Sequence, residues 1–279
     1  MNGYGRWTAF REAGLWIGAI PMLAPVYLVL VTTLRRPDDP AGSALAPPSA
    51  PTLGNVGRAW SEAGGDTVSF SQALFNSVLT TCAVVLLLIA IAAPAGYALA
   101  RRGSRLSGLL FGLFTLALIM PIQLGMIPVY AFMVEAGLTG TRAGLILVYT
   151  GLQMPLAVFL YTGFFRGMPT AYEEAARVDG ARPLRVLAQI MFPLVRPATG
   201  VVATLTGLFV WNDFFVALVF TDGTDKVTLP VAVYSFVGRF TADWPLIFAA
   251  ALIAAGPVVA LFALAQRSVM KGFTSTLHG

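Results

Sequence analysis

The sequence predicts an all-α integral membrane protein with six transmembrane helices and a helical loop on its inner side. Three observations carry this. Hydrophobic residues make up 57% of the 279 residues and charged residues only 11%, against about a quarter charged in soluble domains. Six apolar runs, at 13–34, 74–99, 109–133, 143–165, 198–220 and 245–265, each reach the roughly twenty residues that cross a bilayer. Basic residues are distributed unequally between alternate loops. One Cys (Cys82) and one His (His278) exclude an internal disulfide and leave almost nothing from which to build a zinc site or a Ser-His or Cys-His dyad. The expected metal and catalytic residues are therefore none. Cys82, inside an apolar run, reads as a small lipid- or core-facing residue.

The elements follow in order. The first run, after Arg6 and Arg11, is too long for the apolar core of a signal peptide, and Arg35-Arg36 with further polar residues separate it from the Ala44-Leu45-Ala46 tripeptide; it reads as an uncleaved first helix. Residues 1–34 thus form an N-terminal tail and first transmembrane helix. Residues 35–73 form the longest outer loop, extended by Pro37, Pro40, Pro47, Pro48 and Pro51, with a short surface helix expected near Thr52–Trp60. Residues 74–265 hold a core of five helices, including an inner loop at 166–197, and 266–279 form a tail.

With the N-terminus inside, the inner side holds Arg6, Arg11, Arg101, Arg102, Arg105, Arg166, Arg177, Arg182, Arg185, Arg196, Arg267 and Lys271. The outer side holds Arg35, Arg36, Arg58, Arg142, Lys226 and Arg239. This bias places both termini in the cytoplasm.

Loop 166–197 is the long polar interruption. Thr170 and Glu173 have capping-box spacing, and Glu173 and Arg177 are placed for an i,i+4 ion pair. Tyr172, Ala175, Ala176 and Asp179 offer a face of mostly small residues that another backbone approaches closely. Gly180 and Pro183 stop this helix. A second starts at Pro183, a favoured first position, with Leu184, Leu187, Ala188 and Met191 on one face and Arg182, Arg185 and Gln189 on another. Pro193 and Pro197 lead into the next span.

The run Glu174-Ala175-Ala176, Gly180, Ile190 and Phe192-Pro193 resembles, in residues and spacing, the signature loop of the membrane subunits of binding-protein-dependent ABC importers, with Phe192 where the family usually has Leu. An ordinary amphipathic cytoplasmic loop is the competing reading. The resemblance extends over roughly 13–279. Residues 76–102, the WNDFFVALVF run at 211–220 and the Gly-ended tail resemble its sugar-importer branch, the maltose-type permeases.

It implies a type I ABC importer permease fold. It also implies that Tyr172, Glu173, Glu174, Ala175, Ala176, Asp179, Gly180, Ile190 and Pro193 couple the chain to cytoplasmic ABC ATPase subunits, with His278 a contact to them. A second six-helix permease subunit and an extracytoplasmic solute-binding protein complete the assembly. The substrate implied is a sugar or oligosaccharide. No phosphate-binding loop precedes Lys226 or Lys271, so no cofactor is expected on this chain, and ATP and Mg belong to the partner ATPase. No nucleic acid is expected as a partner.

The polar residues of the spans are the candidate substrate path. Asn76, at the outer mouth, either lines a path or caps a helix. Gln123 and Gln153 either bond a neighbouring helix or face water. Pro121, Pro128 and Pro155 suggest helices bent around a cavity. Trp211, Asn212 and Asp213 include the single acid inside a span, which either serves a site or pairs with a base such as Lys226 or Arg239. A secondary transporter is the alternative function, though the inverted repeats it calls for are not visible. A membrane enzyme lacks its acid, base and nucleophile cluster.

Overall fold

A computed structural model describes residues 6–36, 39, 43, 45–62, 68–237 and 243–276. Pro37, Pro40, Ala44, Gly238, Arg239 and His278 lie outside the described residues, as do the expected roles of Arg239 and His278. Every described element is helical: α1 (Arg6–Leu34), α2 (Gly54–Glu62), α3 (Phe70–Arg101), α4 (Arg105–Ala117), α5 (Ile122–Glu135), α6 (Arg142–Arg166), α7 (Ala171–Val178), α8 (Pro183–Val186), a wide π-helical turn (Leu187–Met191), α9 (Phe192–Leu194), α10 (Arg196–Asn212), α11 (Phe215–Thr221), α12 (Leu229–Tyr234) and α13 (Trp244–Thr276). The chain forms two compact units, residues 1–72 with 229–279, and residues 73–228.

In the first unit α1 and α2 pack on α13, as does α12. Asn55, on the buried side of α2, donates to the carbonyls of Thr33 (2.8 Å) and Arg35 (2.7 Å). Those carbonyls lie at the end of α1, where no further turn of helix exists to bond them. The surface helix expected near Thr52–Trp60 is α2. Its Trp60 ring meets Phe70 at 5.2 Å, and Arg58 pairs with Glu62. The spanning stretch of α1 is only 6% buried, so what it needs from its sequence is mainly apolarity.

In the second unit α6 is the central helix, with α4, α5, α10 and α11 packed on it, and its spanning stretch is 44% buried. Tyr149, Ala157, Val158, Tyr161 and Phe165 of α6 are fully enclosed and meet Val84, Leu88, Ala92 and Ala93 of α3 and Val202 and Val210 of α10 in one core. Arg166 lies over the Phe111 ring at 4.3 Å, and Phe111 stacks on Phe159, which fixes α4 along α6. Tyr161 donates to Thr199 Oγ1 at 3.1 Å, joining α6 to α10.

All six expected apolar runs are helical, but two are not the continuous spans expected. The 109–133 run breaks between α4 and α5, which meet at 104°. Pro121 sits at the break, with no N–H to donate and a ring that keeps Met120 out of the helical region. By contrast Pro128 and Pro155 remain inside continuous helices. The 198–220 run breaks between α10 and α11, where Asp213 adopts an extended backbone (ψ 125°). Counted by length and apolarity, α1, α3 and α6 cross unaided. The pair α4–α5 and the pair 183–194 with α10, bent by 74°, reach that length and apolarity only when joined across their bends, and α13 contributes the apolar stretch Trp244–Ala260.

At Gly96 α3 comes close to α6. A Cβ there would stand 2.6 Å from Tyr161 Cβ and 3.0 Å from Thr162 N, both atoms held by the helix backbone, so no rotamer change makes room. Gly96→Ala is expected to lower stability by about 1–3 kcal/mol, the usual penalty of overpacking. A lowered thermal unfolding midpoint of the purified protein in detergent is the check.

Candidate functional site

Loop 166–197 gives the clearest site. Its first helix, α7, does not form the expected capping box. Thr170 is itself helical (φ −69°, ψ −17°) and makes no side-chain cap, so its hydroxyl is not aimed at the free N–H groups, and Glu173 turns inward instead. At 2% exposure its carboxylate accepts from Arg101 Nε, from Tyr97 Oη at 2.9 Å and from Arg177 Nη2 at 3.3 Å. The expected Glu173–Arg177 pair is therefore present, as the solvent-facing edge of a larger cluster. Arg101 also donates to the Met168 carbonyl at 3.2 Å.

Glu173 and Ala176 are the buried side chains of α7, whereas Tyr172, Glu174, Ala175, Val178 and Asp179 face outward. The face expected from spacing is thereby divided, with Ala176 inside and Tyr172, Ala175 and Asp179 outside. Gly180 ends the helix at φ +77°. The Ala181 N–H bonds Ala176 O and the Gly180 N–H bonds Arg177 O, each at 3.0 Å, the double closure that a left-handed residue allows.

Pro183 starts the second helix as expected, and the expected apolar face is divided between buried and exposed residues. Val186 and Met191 are buried and Leu187 and Ile190 partly so, while Leu184 is 80% exposed and Ala188 is exposed. A wide turn at Leu187–Met191 follows. It spends more residues per turn than an α-helix, so the 3.6-residue period loses register across it. On the outer face Arg185 bonds Gln189 at 2.7 Å. Pro193 then falls in α9, one short turn before α10.

The candidate path residues of the spans fall into two tied clusters, at Asn76 and Asp213, and four further positions. Asn76 is 1% exposed. Its amide donates to the carbonyls of Asp225 (3.0 Å) and Val227 (2.9 Å) and accepts from Arg142 Nη2 (2.8 Å), so it ties α3, α6 and the 222–228 loop together. Asp213 Oδ2 accepts from Tyr149 Oη (2.9 Å), Val216 N (2.8 Å) and Ala217 N (3.3 Å). It caps α11, and no basic side chain among the described residues pairs with it.

Lys226, expected as one such partner, pairs with Asp225 instead, and the hydrogen bond from its ammonium holds the Asp225 carboxyl below the usual carboxylate range. Trp211 is buried. Asn212 is exposed and bonds its own helix at Leu208 O (2.8 Å). Gln153 is buried on α6 and Gln123 is exposed on α5.

Residues 89–275 match the family described as binding-protein-dependent transport system inner membrane component. The chain belongs to this family. As a member it is a membrane transport subunit that works with an ATPase, a binding protein and a further permease; it is not an enzyme, and ATP is hydrolysed by a separate subunit. Among similar proteins, the melibiose/raffinose/stachyose import permease protein MelC of Bacillus subtilis is 35% identical over 252 residues, which cover 90% of this chain and 89% of that protein. The probable starch degradation products transport system permease protein AmyC of Thermoanaerobacterium thermosulfurigenes is 31% identical over 256 residues, covering 92% and 89%. A crystal structure of a bacterial ABC transporter importing the acidic polysaccharide alginate shares the fold, with a TM-score of 0.77 at 20% identity over 96% of this chain and 99% of that one.

Within this permease, Arg101, Tyr97, Arg142 and Tyr149 complete the clusters, and sequence reasoning did not single them out as partners. Arg101 and Arg142 counted as loop charges, Tyr97 and Arg101 also fell in the 76–102 stretch of the resemblance, and Tyr149 had no role. Glu173 and Arg101 lie 72 positions apart, beyond the reach of any local spacing rule. The general rule that a buried carboxylate needs a compensating charge or donor finds them only once Glu173 is known to be buried.

Asp213→Ala removes the acceptor for two N–H groups and leaves the enclosed Tyr149 hydroxyl without a partner. It is expected to cost about 1–3 kcal/mol. Asp213→Asn keeps one acceptor oxygen and is expected to recover most of that. Thermal unfolding of both variants in detergent decides it.

Proposed function

We infer that this chain is a permease subunit of an ATP-driven importer of a sugar or oligosaccharide and forms half of the translocation path. The outward face of α7 is the observation that carries the coupling role. Tyr172, Glu174, Ala175, Val178 and Asp179 project from a short, well-terminated helix lying within the stretch matched to the family. A helix of this length is marginal by itself in water. This one is held from within by Glu173 and Ala176, which leaves its other side for a partner. Small Ala175 beside Tyr172 suits close approach in a groove of the ATPase. Gly180, Ile190 and Pro193 shape the loop rather than touch the partner.

The sugar class rests on what relatives such as MelC and AmyC are named for. The multiple sugar-binding transport system permease protein MsmG of Streptococcus mutans, 27% identical, adds to it. In the path, Gln153, Gln123 and Asn212 are the side chains assigned to a polar solute, with Trp211 beside Asn212. Asn76 and Asp213 act as supports for them, because their polar atoms already hold protein groups. ATP and Mg reside on the ATPase and no cofactor on this chain. The distribution of Arg and Lys supports cytoplasmic termini, and that orientation puts α7 on the ATPase side.

Purification of this chain from its host in mild detergent, with mass spectrometry of what accompanies it, tests the reading. An ATPase subunit and a second six-helix chain are expected in stable ratio. A chain that purifies alone and transports in liposomes without ATP overturns it in favour of a secondary transporter. In the assembled importer, Glu174→Lys and Gly180→Trp are each expected to uncouple ATP hydrolysis from uptake while leaving membrane insertion intact. Normal uptake by both would remove α7 from the coupling role.

A further inference from the structure

The coupling helix has covalent routes to α6, through residues 167–170, and to α10, through the Gly180 turn and the wide turn. It has none to α3. We propose that the Arg101–Glu173 ion pair, seconded by Tyr97, is the tie that carries a displacement of α7 into α3; the proposal rests on the functional reading above. Arg101, Tyr97 and Glu173 are then positioning residues for energy coupling, in contact with neither ATP nor solute.

The argument starts from what α7 has inside. Its buried side chains are Glu173 and Ala176, and a methyl group against an apolar surface slides with little resistance. Charge-assisted hydrogen bonds are directional and shorter than neutral ones, and an enclosed ion pair resists separation because each charge would be left without compensation. Glu173 uses both carboxylate oxygens, one on Arg101 and one shared by Tyr97 and Arg177.

Tyr97 and Arg101 are one helical turn apart on the same face of α3, so the grip is two-pronged and opposes rotation as well as sliding. Arg101 also holds Met168 O in the segment before α7, which brings the α6–α7 connection into the same rigid piece. Next to Tyr97 is Gly96, where α3 bears directly on Tyr161 and Thr162 of α6. Gly96 and Arg101 are separated by about 7 Å of helix rise. A pull on Arg101 therefore acts on a short arm about that contact, and α3 responds by tilting across α6.

The test uses the co-purified assembly in nanodiscs, with Cys82→Ala and spin labels on pairs of introduced cysteines. One pair is Val178→Cys with Leu147→Cys, reporting α7 against α6. The other is Gly103→Cys with Leu147→Cys, reporting the end of α3 against α6. Val178 and Leu147 are exposed and Gly103 is open. Distances are measured before and after trapping with Mg-ATP and vanadate.

In the otherwise unaltered assembly both pairs are expected to shift. With Arg101→Met the Val178 pair still shifts and the Gly103 pair does not, and Arg101→Lys restores it. Should Arg101→Met not assemble, Glu173→Gln and Tyr97→Phe, which keep shape, serve in its place and are each expected to reduce the Gly103 shift. A Gly103 shift that survives all of these in full overturns the tie. So does an unaltered assembly in which Val178 moves and Gly103 stays. A Val178 pair that never shifts in the unaltered assembly instead overturns the reading that the ATPase acts on α7.

Discussion

In hydrocarbon a backbone amide finds no water, so every interruption of a helix must bring its own hydrogen-bond partners. Much of this structure follows from that constraint. Where the 198–220 run breaks, the freed N–H groups of Val216 and Ala217 are taken by the Asp213 carboxylate, and Asp213 N itself bonds Phe209 O. Where the 109–133 run breaks, tight turns close on Thr115 and Leu116, and Pro121 contributes no N–H to satisfy. An acid and a proline within apolar runs are then understandable as the means by which a chain changes direction without stranding polar groups. The same logic applies at Asn76, whose amide collects the carbonyls of Asp225 and Val227, residues of a loop without a ladder of its own.

The second organising fact is the choice made by Glu173. On an isolated peptide it would serve its own helix terminus, but the folded protein offers a guanidinium and a phenol within an apolar enclosure, and the stronger charge-assisted bonds prevail. That choice settles which way α7 faces. Turned by Glu173 and Ala176 towards the core, it has no alternative but to present Tyr172, Glu174, Ala175, Val178 and Asp179 outward.

The helical character of the six apolar runs was legible because hydropathy over twenty residues is a strong, additive signal that needs no knowledge of neighbours. So was the position of the polar loop, with its stop at Gly180 and restart at Pro183, since these residues act through their own backbone. What was not legible depends on partners distant in the chain or on small departures from helical period. Nothing near Asp213 announces Tyr149, and nothing near Asn76 announces Arg142. The wide turn at Leu187–Met191 breaks the helical register within the second helix, an effect invisible to any reading that assumes 3.6 residues per turn. Pro121, Pro128 and Pro155 looked alike in sequence, yet only the first marks a break.

The contrast between α1 and α6 bears on how the chain tolerates change. With 6% of its spanning stretch buried against 44% for α6, α1 is constrained by solubility in lipid, which many apolar residues satisfy equally, and α6 by shape, which few do. Random apolar-for-apolar exchange would pass almost unnoticed in the first helix and accumulate defects in the sixth. The sequence of α1 can therefore drift quickly while its hydropathy stays constant, and libraries seeking altered transport without loss of folding would do best to leave α6 untouched.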